Sequence, residues 1–407
     1  MTVIMIKTVA PIVFIPLFLT LFSCANPEMA ELGHIFVGRN SPAPPADFYE
    51  EEEVNLGQNL LRGFLADKPV YPLREVNRYV QEVGEKMARV APTKLYGYNI
   101  TVMNSSTINS FAFPGGQIVL YRGLLEVLKT ESQLAAAIAH EMAHIERRAP
   151  GRALQRSKSA PNYHALIKRT DGKIDQLGMI SDISHNIIAA GYGPDEELKA
   201  DIESMKYLAD AGYDPSAVLE LQKILENVTK EQPSSSYGLL QAHPPLSTRI
   251  TNITEAMRTQ KHPPVSSHNE ATRYRTKVLD PVGNYREGIR KHYVSAVLAK
   301  RVDKGGAPVD PFTSMNWKDN DFFVVVTLRD VDKTPHSLML YLNYAKEHLT
   351  GRTAPTIFTP EKSNWRTHVR VNGLGSAALV NEQLGRWTAT ILLDTYEVDT
   401  LEFEITK

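Results

Sequence analysis

Residues 134–147 read LAAAIAHEMAHIER, a run of strong helix formers that carries two histidines. Thr130 and Gln133 form a capping box just before this run, so the sequence predicts a helix that begins near Glu131. Pro150–Gly151 is the expected end of the helix. The predicted helix therefore presents the string HEMAH on its C-terminal half.

The two histidines of HEMAH have the spacing of a metal site. His140 and His144 are four residues apart and share one helix face, where both imidazoles can point at one ion. Glu141 lies about 100° round the helix, where its carboxylate can take a proton from water that a zinc ion has made more acidic. Chance is one alternative, because the chain has 12 histidines. Two hydrogen-bonded core histidines are another.

A tetrahedral catalytic zinc ion needs a third protein ligand. In metzincins a further histidine follows closely, but Arg147 and Pro150 occupy those places here. The segment EELKAD supplies a carboxylate instead, because Glu197 and Asp201 are four residues apart and share a helix face. We expect Glu197 to complete a site for one Zn²⁺ ion per chain, and Asp201 to accept the free ring N–H of a zinc histidine. Taken alone, the pair also fits a solvated charged face.

Four motifs in this order resemble the gluzincin peptidases, the group that includes HtpX, BepA-like periplasmic proteins and the CAAX prenyl endopeptidases. The motifs are NSFAFPGGQIVLYRGLL (109–125), HEMAH (140–144), EELKAD (196–201) followed by AGYDP (211–215), and AHPPLSTRI (242–250). The resemblance covers about residues 50–255. It implies a zinc-dependent endopeptidase with His140, His144 and Glu197 as metal ligands and Glu141 as the base.

The first motif resembles the family's strand beside the cleft. An exposed strand edge there would accept an extended peptide through main-chain hydrogen bonds. The expected substrate strand comprises Phe111, Ala112, Phe113, Gly115 and Gly116. The alternative is a plain hairpin in which Pro114, Gly115 and Gly116 form the turn.

The last motif contributes two candidates for catalysis. His243 and Arg249 match positions that lie near the metal in the resembled family. They are candidates for stabilising an oxyanion, or for occupying the open position of the metal in a resting state. The alternative is that His243 and Pro244 form a structural corner.

The predicted fold class is α+β. We expect a mainly helical zincin-type peptidase domain with a small β-sheet, followed by a C-terminal Ig-like β-sandwich, because the pattern changes to short β-rich runs past about residue 285. The predicted boundaries are a peptidase domain at 48–258 with an insertion at 149–190, a linker at 259–284, and the β-sandwich at 285–407.

The N-terminus is predicted to be a targeting segment. Residues 1–24 have the apolar core of a signal peptide and end at Leu21–Cys24, which resembles a bacterial lipobox. Cys24 is the expected site of lipid attachment, with 25–47 as a tether. Ordinary secretory cleavage near Ala25 is the alternative. The resemblance and Ala25 together favour a periplasm-facing lipoprotein, in the outer membrane rather than the inner.

A formal net charge of −1 and the absence of a basic stripe argue against nucleic acid as a partner. The resemblance to the gluzincin peptidases implies a metalloendopeptidase that hydrolyses envelope proteins in periplasmic quality control. The alternative is a non-catalytic, chaperone-like peptide-binding or assembly factor whose C-terminal domain docks a protein partner. A third possibility is that this domain binds cell-wall glycan through Tyr341, Trp365 and Trp387.

Overall fold

The computed structural model describes residues 50–65, 70–92, 97–156, 191–231, 246–259, 269–344, 351–380 and 383–407. The predicted signal peptide with Cys24, the tether, most of the predicted insertion and His243 lie outside these ranges. The chain divides into two compact units, with the division between Gly283 and Asn284. None of the described helices is long and apolar enough to span a membrane.

The first unit combines helices with one small sheet. Its elements are α1 (Glu50–Phe64), α2 (Arg74–Ala88), β1 (Asn99–Met103), β2 (Ser110–Phe113), β3 (Gln117–Tyr121), α3 (Arg122–Val127), α4 (Glu131–Glu146), α5 (Ala149–Arg156), α6 (Pro194–Asp210), α7 (Ala217–Glu231), α8 (Leu246–Thr259) and α9 (Glu270–Tyr274). A π-helical segment, Arg275–Leu279, leads into α10 (Asp280–His292), which begins in the first unit and ends in the second. This agrees with the mainly helical domain that was predicted.

The sheet has three strands in the order β1-β3-β2. Strand β1 runs parallel to β3, and β2 pairs with β3 as an antiparallel hairpin. Gly115 and Gly116 have φ values of 66° and 85° in the turn of that hairpin, a region that favours glycine. A Cβ at Gly115 would also lie 2.4 Å from the Cα of Val54. The two glycines are therefore turn residues.

Helix α4 begins as predicted but ends for a different reason. The Thr130 side chain accepts the Gln133 N–H, as expected of the cap. The Gln133 side chain accepts the Lys129 N–H at 2.7 Å, one residue before the position that a capping box uses. Pro150–Gly151 does not end α4, because both residues lie in the first turn of α5, where proline is tolerated.

Helix α6 packs against α4 and carries the motif EELKAD. Pro194 is its first residue, and Gly212 follows its end with φ of 73°, which are positions that favour proline and glycine. Helix α8 begins at Leu246, inside the motif AHPPLSTRI.

The predicted linker at 259–284 is wrong for its second half. Residues 270–292 are helical, from α9 through the π-helical segment into α10. Tyr274, Val278 and Val282 recur every four residues and are all buried. The residues between them are mainly polar, so the segment was not recognised from the sequence as an amphipathic helix.

The second unit contains two sheets. Its strands are β4 (Tyr293–Val302), β5 (Pro308–Pro311), β6 (Ser314–Asn316), β7 (Asp321–Leu328), β8 (His336–Tyr344), β9 (Gly351–Arg352), β10 (Thr356–Phe358), β11 (Trp365–Asn372), β12 (Gly385–Leu393) and β13 (Tyr396–Thr406), with helix α11 (Leu374–Val380) before β12. One sheet has the order β10-β8-β12-β13-β6, with β9 also paired to β8. The other has the order β11-β7-β4-β5.

Both sheets contribute to one hydrophobic core, as expected of a sandwich. The rings of Phe322 in β7 and Phe403 in β13 lie 5.4 Å apart between centroids. Strand β13 pairs in parallel with β6, so the Ig-like outline is not confirmed. Trp387 is buried and donates its indole N–H to the Gln383 carbonyl. That burial is incompatible with a role for Trp387 in glycan stacking.

Candidate metal centre

Three buried side chains converge between α4 and α6. The ligand atoms of His140, His144 and Glu197 all lie within 4.8 Å of one another. The two histidine Nε2 atoms are 3.1 Å apart, and each lies 3.3 Å from an oxygen of the Glu197 carboxylate. The three predicted metal ligands are thus brought together in the part of the chain that the structure describes.

These spacings fit a tetrahedral ion. Zinc bonds nitrogen and carboxylate oxygen at about 2.0–2.1 Å, so ligand atoms on a tetrahedron stand about 3.3 Å apart. Three donors of that type with one position left over form the donor set of a catalytic zinc site. Burial lowers the pKa of His144 and so favours the neutral ring that metal binding requires.

Asp201 lies beside the ring of His140. Its Oδ1 lies 3.1 Å from His140 Nδ1, the ring nitrogen that faces away from Glu197 and His144. A hydrogen bond there fixes the ring with Nε2 toward the metal position. Burial opposes ionisation of Asp201, but the charge of Arg249 prevails and lowers the pKa of its carboxyl to about 2.

Arg249 lies at the centre and is almost fully buried. Its Nε and Nη2 lie 2.8 and 2.6 Å from the two Asp201 oxygens, and its Nη1 lies 3.5 Å from Glu197 Oε2. Burial disfavours the charged guanidinium, yet Asp201 raises its pKa further above the ordinary value. These contacts hold the carboxylates in place, so they are the contacts of a positioning residue. Oxyanion stabilisation by Arg249 stays a prediction.

Glu141 points to the same cavity as His140 and Arg249. Its side chain is buried, and Oε1 accepts a 2.7 Å hydrogen bond from the Ser110 hydroxyl. Its Oε2 has no hydrogen-bond partner among the described residues. One oxygen is therefore oriented by the protein while the other is available to a proton.

Residues 74–257 match the family model of peptidase family M48. This region is an M48 peptidase domain. It includes every residue of the metal centre described above, and the gluzincin resemblance read from the four motifs is confirmed.

Named relatives agree with this assignment. The beta-barrel assembly-enhancing proteases of Yersinia pestis and Escherichia coli K12 are 24% and 25% identical over 63% and 49% of this chain. The mitochondrial metalloendopeptidase OMA1 of Schizosaccharomyces pombe is 24% identical over 44% of the chain and 52% of its own length. The matches span about half of the two bacterial relatives, at 53% and 43% of their lengths.

A solved structure of the Pseudomonas fluorescens alkylpurine DNA glycosylase AlkC aligns with 81% of this chain and 98% of its own, at 13% identity and a TM-score of 0.19. So low a score carries no argument about the fold.

The expected substrate strand of the M48 domain lies in β2 and the turn that follows it. Strand β2 lies at the edge of the sheet, as required for peptide addition. Its residues Phe111, Ala112 and Phe113 are buried, and their role as a substrate strand stays a prediction. The two phenylalanines pack with Phe64 of α1 in edge-to-face contacts that hold them in the core.

Tyr192 joins this strand to the metal centre. Its hydroxyl donates to the Ala112 carbonyl at 2.7 Å, and its ring centroid lies 4.3 Å from that of His144. Sequence analysis missed both Tyr192 and Ser110. Ser110 had one available signal: it precedes Phe111, so strand alternation places it on the opposite side from the buried ring.

Proposed function

We propose that the chain is a zinc-dependent endopeptidase. The observation that carries the proposal is the group formed by His140, His144 and Glu197, whose ligand atoms have tetrahedral spacing, with Glu141 buried beside it. The match of residues 74–257 to the M48 family model supports the same activity.

A zinc ion bound there would polarise a substrate carbonyl and make water more acidic. Glu141 then takes the proton of the attacking water and delivers it to the leaving amine. The Ser110 hydroxyl orients the Glu141 carboxylate for both transfers. Asp201 keeps the His140 ring turned so that Nε2 faces the metal position, and Arg249 holds Asp201.

The proposed substrates are proteins of the bacterial envelope, and the proposed role is periplasmic quality control. Two relatives are named beta-barrel assembly-enhancing proteases, which supports an envelope substrate for this chain. We further propose that the chain is a lipoprotein attached through Cys24, with the outer membrane as its site. The sequence at Leu21–Cys24 supports the lipid attachment, and Ala25 together with the family resemblance supports the outer membrane.

The test is Glu141→Gln in the full chain. Cleavage of an unfolded protein such as reduced casein should fall by a factor of at least about 1000, since the base is lost, while zinc content stays near one per chain. Glu255→Gln is the matched control, because this exposed glutamate lies in the same domain. Full activity in Glu141→Gln contradicts the proposal, as does purified protein that fails to bind zinc.

An assembly factor with a retained zinc fold is the second candidate. It is supported by the words "assembly-enhancing" in the relatives' names and by a second unit with its own core. If envelope defects of a deletion strain are restored equally well by Glu141→Gln and by the unaltered chain, this second function is favoured.

A further inference from the structure

A group of charged side chains joins the C-terminal end of α4 to the N-terminal half of α6. Arg147, the residue that follows α4, directs its guanidinium at Glu196 and Glu203 of α6. Its Nε and Nη2 lie 3.0 and 3.2 Å from the two Glu196 oxygens, and its Nη1 lies 2.8 Å from Glu203 Oε1. Because the guanidinium is planar, a paired contact of this kind fixes direction as well as distance.

Arg152 of α5 binds the same Glu196 carboxylate. Its Nη2 lies 2.8 Å from Glu196 Oε2, and its Nη1 donates to the main-chain carbonyl of Arg147. We call Arg147, Arg152 and Glu196 the arginine clamp. The three side chains are between 19% and 24% exposed, so water and salt screen their charges less than those of a fully exposed pair.

The arginine clamp adjoins two of the three metal ligands in the sequence. His144 precedes Arg147 by one helical turn at the end of α4, and Glu197 directly follows Glu196 in the first turn of α6. A displacement of either helix end therefore moves a ligand atom with it. Slippage by one residue along a helix is about 1.5 Å, whereas a zinc–ligand distance tolerates only about 0.2 Å.

The register of α6 against α4 is not fixed by local sequence. Helix α5 ends at Arg156 and α6 begins at Pro194, so the two helices that carry the ligands are far apart along the chain. Contacts between their side chains must set the register. Apolar packing is non-directional, whereas the bonds of the arginine clamp have a preferred direction and length.

We propose that Arg147, together with Arg152, is a positioning residue for the metal: by holding Glu196 it keeps the Glu197 carboxylate within reach of the two histidines. The inference rests on the proposed zinc site. Arg147 supplies no ligand itself, and it acts through a ligand that comes from another helix.

The test is the zinc affinity of the full chain with Arg147→Gln, measured by competition with a chelator. The affinity should fall by about 10-fold, the lower end of the loss that follows when a supporting partner of a ligand is changed. Glu196→Gln should lower it by a similar factor. The double variant should lose no more than either single variant, because both changes remove the same contact.

The direction of the two single effects separates positioning from the effect of charge alone. If the side chains acted only through their charge, Arg147→Gln would raise the affinity for a divalent cation and Glu196→Gln would lower it. Positioning predicts a loss for both. Lys199→Gln is the matched control: Lys199 lies 3.8 Å from Glu196 but on the same helix, so its removal changes the charge without releasing α6 from α4. The zinc affinity of this control should not fall.

Cobalt(II) in place of zinc gives a second readout. Its visible absorption is strong in a tetrahedral site and weak in a five- or six-coordinate site, so it reports the geometry of the ligands. Arg147→Gln should absorb more weakly than the unaltered chain, and Lys199→Gln should match the unaltered chain. Arg147→Lys keeps the charge but cannot form the paired contact, so it should also bind zinc less tightly than the unaltered chain.

Unchanged or higher zinc affinity in Arg147→Gln, or an unchanged cobalt spectrum, overturns the positioning role of Arg147. Neither readout requires cleavage, so the endopeptidase proposal is tested separately. If the unaltered chain binds zinc, Arg147→Gln shows the expected loss, and yet no unfolded protein is cleaved, the endopeptidase proposal is overturned and the role of Arg147 stands.

Discussion

The residues that ligate the metal position could be predicted because their spacing is local. His140 and His144, like Glu197 and Asp201, are four residues apart on a helix, so each pair has fixed geometry once the helix is recognised. Their supporting contacts could not be predicted in this way. Arg249 donates a hydrogen bond to Asp201, which is 48 residues away in the sequence. Ser110 donates one to Glu141, which is 31 residues away. Such pairs depend on how the helices pack.

Asp201→Asn tests the support of the zinc ligands. The substitution keeps an acceptor for His140 but removes the charge that pairs with Arg249. We expect zinc affinity to fall by about 10- to 100-fold, as is typical when a partner of a ligating histidine is changed. Competition with a chromophoric chelator measures the affinity.

Asp210→Asn is the control for this change, because Asp210 lies on the same helix but is exposed and paired with Lys206. Zinc affinity should be unchanged in it. If Asp201→Asn folds and binds zinc as tightly as the unaltered chain, Asp201 has no role in holding His140.

At the scale of the element, helix α4 was predicted correctly at its start because the cap is local in sequence. The contacts that hold the start of the helix in place involve residues far away in the sequence. The Glu131 carboxylate accepts hydroxyl hydrogen bonds from Tyr79 at 2.6 Å and Tyr213 at 2.9 Å, and pairs with Arg273. Ser132 donates both its N–H and its hydroxyl to Glu270. The residues assigned to a linker thus anchor the helix that carries HEMAH.

Glu131→Gln tests this anchor. The amide offers one acceptor oxygen where the carboxylate offers two, so one tyrosine hydroxyl loses its acceptor and Arg273 loses its counter-charge. We expect the free energy of unfolding to fall by about 1–3 kcal/mol, the cost of an unsatisfied buried partner. Urea unfolding followed by far-UV circular dichroism gives the value.

Glu75→Gln, on the exposed face of α2, is the control and should stay within about 0.5 kcal/mol of the unaltered chain. An equally small change for Glu131→Gln would show that the three contacts add nothing to stability.

The presence of β-strands in the C-terminal region could be predicted because apolar and polar residues alternate there, and Phe403 and Ile405 on one face of β13 are buried. A polar contact within them was not foreseen. His336 is buried, and its Nδ1 lies 2.7 Å from Asp394 across 58 residues of sequence. Burial lowers the pKa of His336, but the hydrogen bond and charge of Asp394 prevail and raise it above the ordinary value.

This pair predicts a pH dependence for the second unit. Because the pKa of His336 is higher in the folded state, its contribution is complete below the unfolded value of about 6.5 and is lost as pH rises through the folded value. We expect the urea midpoint, followed by tryptophan fluorescence, to fall as pH rises above about 6.5. In His336→Gln this fall should be reduced, whereas His292→Gln, which alters a half-buried histidine of the same unit, should keep it. A midpoint that rises over this range in the unaltered chain contradicts the assignment.

At the scale of the whole molecule, the two units differ in two respects: which of them contains the metal centre, and which spectroscopic signal follows the unfolding of each. The metal centre lies in the first unit, where the described strands are few and short, whereas Trp317, Trp365 and Trp387 all lie in the second. The chain has three tryptophans in total. Tryptophan fluorescence therefore follows the second unit, and the helical circular dichroism signal follows mainly the first.

Chelation should separate these two signals. Metal-binding free energy adds to the folding free energy of the unit that binds it, because the unfolded chain does not preform the ligand set. Removing zinc with EDTA should lower the midpoint of the helical signal by several degrees and leave the tryptophan midpoint nearly unchanged. His144→Ala should start at the lower midpoint and show no further shift with EDTA, which assigns the effect to this centre. If both midpoints fall together in the unaltered chain, the two units unfold as one cooperative structure, and zinc then stabilises the β-sheets as well as the helices around His140.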